Sequence, residues 1–174
     1  MRIIRSVGVV LAVLVGLPAV IGIAARLSDG PIAIFPGGPL EKGELVSGPE
    51  SDWSFARDIS EMEFQLVDPP RSRTIWLLTH GGRLFIVSGY MKTAVGRWWK
   101  QWPAQAERDG RALIRLEGKR YERQAVRIHD SAIIEALAPE TRRKYGEPLT
   151  AEAVEAGEAW VFELVPRSSS SAPG

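Results

Sequence analysis

The 174-residue chain contains no cysteine. That absence excludes a disulfide framework, a thiolate nucleophile and any zinc or iron–sulfur site built on cysteine. Histidine is nearly missing as well: His80 and His129 are the two, neither stands at a metal-ligand spacing from another His or a carboxylate, and both are expected at the surface with no bound metal. There is no Gly-x-Ser-x-Gly elbow, Walker loop or dinucleotide fingerprint, so hydrolase chemistry has no visible nucleophile. Neither an internal repeat nor a βαβ alternation occurs, which argues against a parallel sheet.

Acids are missing from the start of the chain; none precedes Asp29, and no charge of either sign lies between Val7 and Ala25. These nineteen apolar residues would make a helix of roughly 28 Å, close to the roughly 30 Å of a bilayer's hydrocarbon core. Arg2 and Arg5 before the run would hold the amino end in the cytoplasm, placing the rest of the chain on the periplasmic or extracellular side. Residues 1–26 are therefore expected to be a single-pass membrane anchor. A cleaved signal peptide, with Gly22-Ile23-Ala24 as its small-residue site, is the alternative.

Charge after that point is segregated. Residues 27–68 carry nine acids against Lys42 and Arg57, whereas residues 71–127 carry thirteen Lys or Arg against four acids. A basic middle favours an anionic partner such as a phosphate; a solvated face answering the acidic segment is the plainer alternative. Nucleic acid is not expected as a partner outside the cytoplasm, and a homodimer is entertained as the oligomeric state.

The remaining chain has the length of one domain. Residues 27–61, rich in Gly, Pro and acids, are expected as an extended arm, with a short strand at Ile32 to Phe35 and with Trp53 and Phe55 pinning its end to the core. Met62 to Leu66 alternates apolar and polar like a half-buried strand, stopped by Asp68-Pro69-Pro70. Thr74 to Thr79 and Arg83 to Ser88 form a hairpin across His80-Gly81-Gly82, apolar enough to be buried on both faces. Thr93 to Trp102 has helical spacing, with Pro103 as its stop. Arg111 to Leu116 and Tyr121 to Ile128 form a second hairpin across Glu117-Gly118-Lys119. Asp130 caps a helix through Ala138, Pro139 opens a second turn to Tyr145-Gly146, Thr150 caps a short helix to Ala156, and Ala159 to Val165 is the last strand. Residues 167–174 are expected to be a disordered tail. The whole is a mainly β fold, a six-stranded antiparallel split barrel over residues 62–166 with peripheral helices, preceded by one transmembrane helix.

The segment from Ser88 to Trp102 combines small and hydroxyl residues, three cations and three indoles just after a buried hairpin. Phosphate binding needs amides and cations together, and a planar ring needs an aromatic wall. Closure of the barrel end by the tryptophans, with the cations solvated, is the plainer account.

From Glu63 to Pro166 the order of parts resembles the flavin- and deazaflavin-binding split β-barrel superfamily, which includes pyridoxamine phosphate oxidase-like proteins and deazaflavin-dependent nitroreductases. The likeness rests on the hairpin Thr74 to Ser88, the Trp98-Trp99-Lys100-Gln101-Trp102 segment, the hairpin Arg111 to Ile128 and the closing Leu164-Val165-Pro166-Arg167. Gln101-Trp102 departs from the Asn that family carries after its aromatic pair. The resemblance implies FMN or the deazaflavin F420 as cofactor, its phosphate on Arg73, Thr74, Ser88, Lys92 and Arg97 and its ring near Trp98 and Trp99. It further implies a membrane-anchored oxidoreductase that passes hydride to a small molecule, with catalytic residues unassigned. The rival is a non-enzymatic binding or assembly module on a cofactor-free barrel.

Overall fold

The computed structural model describes residues 2–46, 48, 52–89 and 101–167, with side chains from Leu14 onward. Among the described residues six strands close into a barrel: β2 (Glu61–Leu66), β3 (Arg71–His80), β4 (Arg83–Ser88), β5 (Arg111–Leu116), β6 (Lys119–Ile128) and β7 (Trp160–Pro166). They follow the order β6-β5-β2-β3-β4-β7, and β7 returns to pair with β6. Every neighbouring pair in the ring is antiparallel, so the sheet has no free edge within it. A three-residue strand, β1 (Glu44–Val46), lies outside the ring, parallel to β6. It is too short to leave a pattern in the sequence.

The two expected hairpins are present, and their turns explain their register. His80 pairs with Arg83 around Gly81 and Gly82, whose φ values of 57° and 74° lie where a side chain would be strained. In the second, Leu116 pairs with Lys119 around Glu117 and Gly118.

Two cores account for the unbroken apolar runs of the first hairpin. Leu77, Leu84 and Ile86 point into the barrel with Phe64, Ile114 and Phe162. Leu78 and Phe85 point outward, onto Ile134, Leu137 and Val154 of the covering helices and Leu149 of the loop between them. Truncating a fully buried ring such as Phe64 to Ala would cost about 3–5 kcal/mol. Arg123 also lies inside, 1% exposed, with its guanidinium 5.0 Å from the Trp53 ring. Trp53 pins the arm as expected, but Phe55 stays half exposed and only leans on Trp53, its ring tilted by 31°.

The helices depart from expectation at both prolines. Pro103, expected as a stop, instead opens α2 (Trp102–Arg108), because a first-turn residue has no intrahelical N–H bond to lose. Residues 93–100 of the helix expected there lie outside the described residues. One continuous helix, α3 (Ser131–Tyr145), runs through Pro139 where two turns were expected. Pro139 and Glu135, four residues earlier, both face solvent, so water can serve the carbonyl that proline leaves unpaired. Asp130 caps α3, accepting from the Ala132 amide at 2.9 Å, and Thr150 caps α4 (Ala151–Glu155). The tail from residue 168 lies outside the described residues, and the expected strand at Ile32 to Phe35 is a single bridge closing a turn.

The arm is not a loose lead-in. Residues 37–40 strap it to the barrel: the Gly37 amide donates to Ser72 O at 2.8 Å, Ser72 Oγ to Gly38 O at 2.6 Å, and the Leu40 amide to Gln65 Oε1 at 2.6 Å. A side chain at Gly37 would meet Gly30 O at 1.8 Å, which is why this crossing needs glycine. Arg115 of β5 holds the same strap from below, donating to Asp29 Oδ2 at 2.7 Å and to both oxygens of Glu63.

The strap also fixes α1 (Arg2–Arg26), since the Gly38 amide donates to Ala25 O and Ala25 is fully buried. Among the described residues no helix is long and apolar enough to cross a membrane. The described side chains of α1 begin at Leu14, so the first part of its apolar run stands outside that statement.

Candidate functional site

The ladder between β3 and β4 runs only from His80↔Arg83 to Leu77↔Ile86. Beyond it Val87 and Ser88 pair with β7 instead, while the first half of β3 stays with β2. The two strands part, and the gap opens a cavity of about 740 Å³ between the barrel wall and the covering helices.

Its lining follows from strand alternation and helix position. Thr74 and Trp76 come from β3, Ser88 and Gly89 from the end of β4, Trp102 from α2, Thr141 and Tyr145 from α3, and Glu147 to Leu149 from the loop that follows. Trp76 and Tyr145 stack with ring centroids 4.3 Å apart. The Tyr145 hydroxyl lies 2.7 Å from the carbonyl oxygens of both Ser60 and Leu77, which share its one proton, and burial raises its pKa so that it stays neutral. Thr141 Oγ1 accepts from the Leu149 amide at 2.8 Å and donates to Ala138 O, which fixes the loop that forms one side of the cavity.

Of the residues expected at the site, Thr74 and Ser88 meet in this lining. Arg73 does not; as the strand neighbour of Thr74 it points to the opposite face of β3, toward the barrel interior. There its Nε is buried without an acceptor, and burial lowers its pKa to about 10, which still leaves it charged at neutral pH. Lys92, Arg97, Trp98 and Trp99 lie outside the described residues. The aromatic wall among the described residues comes from Trp76, Tyr145 and Trp102. Sequence reasoning missed Trp76 because it read the strand as buried on both faces; Trp76 is 47% exposed, between the buried Ile75 and Leu77. Tyr145 was read only as a helix end.

Electrostatically the described lining is hydroxyl and carboxylate: Thr74, Ser88 and Thr141 with Glu147 and Glu158, and no Lys or Arg among them. Both histidines are exposed away from it. Among the described residues no group of three or more His, Asp or Glu could hold a metal ion.

No family model and no curated protein matches the chain. Among solved structures it is similar to a conserved hypothetical protein, Rv2991, from Mycobacterium tuberculosis, at 15% identity and a TM-score of 0.47 over 65% of this chain and 76% of that one. It is also similar to an F420 reductase, at 14% identity and a TM-score of 0.37 over 70% of this chain and 97% of the other. The expected closed antiparallel barrel of six strands with peripheral helices is present.

Proposed function

We propose that the chain is a membrane-tethered redox protein that holds a planar, phosphate-bearing cofactor of the flavin or deazaflavin type, FMN or F420, in the cavity between β3 and β4. The observation that carries this reading is the cavity itself, large enough for a fused-ring cofactor and walled by Trp76, Tyr145 and Trp102. The residues fit the group. Thr74 and Ser88 hydroxyls would serve its polar end, and Lys92 and Arg97, on the segment after Gly89, would add the positive charge that the described lining lacks. Trp98 and Trp99 would add to the ring wall. Such a cofactor supplies hydride transfer to a small molecule; the protein's part is to seat it and exclude water.

The anchor is part of the same proposal. Leu14, Val15, Leu17, Val20 and Ile23 of α1 are all more than half exposed, and at 100° per residue they point all round the helix. An apolar surface with no polar side is what a bilayer solvates, and Arg2 and Arg5 ahead of it favour the periplasmic or extracellular side for the domain.

A second reading, a cofactor-free binding module, is favoured by Glu147 and Glu158 in the described lining, which suit a neutral or cationic ligand. Purification decides between them. A yellow protein, or saturable binding of added FMN weakened at least tenfold by Lys92→Ala with Arg97→Ala, supports the redox reading; no binding of either cofactor leaves the second.

A further inference from the structure

Several arginines among the described residues end on acceptors. Arg83 donates to Glu163, Arg115 to Glu63 and Asp29, Arg120 to the carbonyls of Gly43 and Leu40, and Arg143 to Glu140. Arg127, on β6, does not. Its Nε and Nη1 are buried with no hydrogen-bond partner, and among the described residues it makes no ion pair within 4.0 Å. Its guanidinium lies over the Trp160 ring at 3.8 Å and 5.5 Å from the Phe162 ring.

The place of this shelf is set by register. Trp160 pairs with Ser88, the residue from which β4 leaves the barrel into the cavity, and Phe162 pairs with Arg127 itself. The rings continue across the barrel mouth, Phe162 to Trp102 at 5.7 Å and Trp102 to Phe64 at 5.3 Å. Phe64 in turn is the register partner of Arg73, whose Nε is likewise buried without a partner. Two desolvated guanidinium groups thus flank one aromatic floor at the end of the barrel where the cavity begins. A stacked guanidinium is held in plane, with its N–H fork fixed for a two-oxygen acceptor.

We propose that Arg127 is an anion-binding residue of this site, holding a phosphate or carboxylate of the ligand on the Trp160 shelf. The inference rests on the cofactor reading above for the rest of the ligand, but the oxyanion seat is a property of Arg127 and its surroundings alone.

The full chain in detergent micelles, followed by its tryptophan fluorescence, is titrated with FMN, with riboflavin, which lacks the phosphate, and with inorganic pyrophosphate. Arg127→Gln is expected to weaken FMN and pyrophosphate binding tenfold or more while changing riboflavin binding less than twofold; Arg127→Lys should recover part of the loss. Arg127→Met, which keeps the packing on Trp160, serves the same comparison if the glutamine variant does not fold. Equal FMN and pyrophosphate binding by wild type and variant overturns the inference and leaves the cofactor reading standing. Pyrophosphate binding that needs Arg127, with no binding of either flavin, does the reverse. If the wild type binds none of the three, both fall.

Discussion

The indole of Trp76 lies 4.3 Å from the ring of Tyr145 with the two planes 8° apart, so a barrel strand and the last turn of α3 meet face to face at the cavity. Stacked pairs of this kind are worth about 0.5–1.5 kcal/mol beyond the area they bury. Trp76→Leu should therefore lower stability by about 1 kcal/mol, yet weaken a planar ligand by much more than Leu at any other exposed position. Chemical denaturation and ligand titration on the same protein separate the two effects; equal affinity for wild type and variant would remove Trp76 from the site.

Thr141 carries a burden out of proportion to its size. Its hydroxyl is the acceptor for the Leu149 amide, and a buried N–H left without an acceptor costs about 1–3 kcal/mol. Thr141→Val, of the same shape, should lose that amount in urea denaturation, and the loop 147–149 should show faster amide exchange. Thr141→Ser should recover most of the loss.

The strap that binds the arm has a pH dependence with a definite sign. Desolvation alone would raise the Asp29 pKa, but the Glu41 amide, the Arg115 guanidinium and the Lys42 amide outweigh it and hold the carboxyl at about 2. An unfolded Asp titrates near 3.9, so the folded value is depressed: the stabilisation is complete above about pH 4 and is lost as pH falls through about 2. Asp29→Asn should cost about 1–2 kcal/mol at pH 7. Urea midpoints of wild type and variant should converge between pH 4 and pH 2, and a gap that stays constant over that window would contradict the assignment.

For the anchor, the expected outcome is that the protein sediments with membranes, resists extraction by alkaline carbonate, and is digested by protease added outside the cytoplasmic membrane. Recovery in the soluble periplasmic fraction would instead identify a cleaved leader, and protection from external protease would reverse the orientation.

The strands and both hairpins were legible because each is a local signal: a run of β-favouring residues on either side of Gly81-Gly82 or Glu117-Gly118, with the turn setting the register. The caps Asp130 and Thr150 were legible for the same reason, since a cap is a contact over two or three residues. The prolines misled because their effect depends on which side of a helix they occupy. Only after folding is it known that Pro139 faces solvent and that Pro103 begins a helix.

By itself the sequence determined what must be buried and what must turn: an uncharged amino-terminal run, a basic middle and six strands. It could not determine which of the basic residues were already taken. Tertiary structure assigned Arg115 to Asp29 and Glu63, turned Arg73 into the barrel, left Arg127 on Trp160 without an acceptor, and brought Trp76 and Tyr145 together from positions 69 residues apart. Such contacts depend on how β3 and β4 separate and where α3 crosses them, and a separation in space between strands leaves no period in the chain.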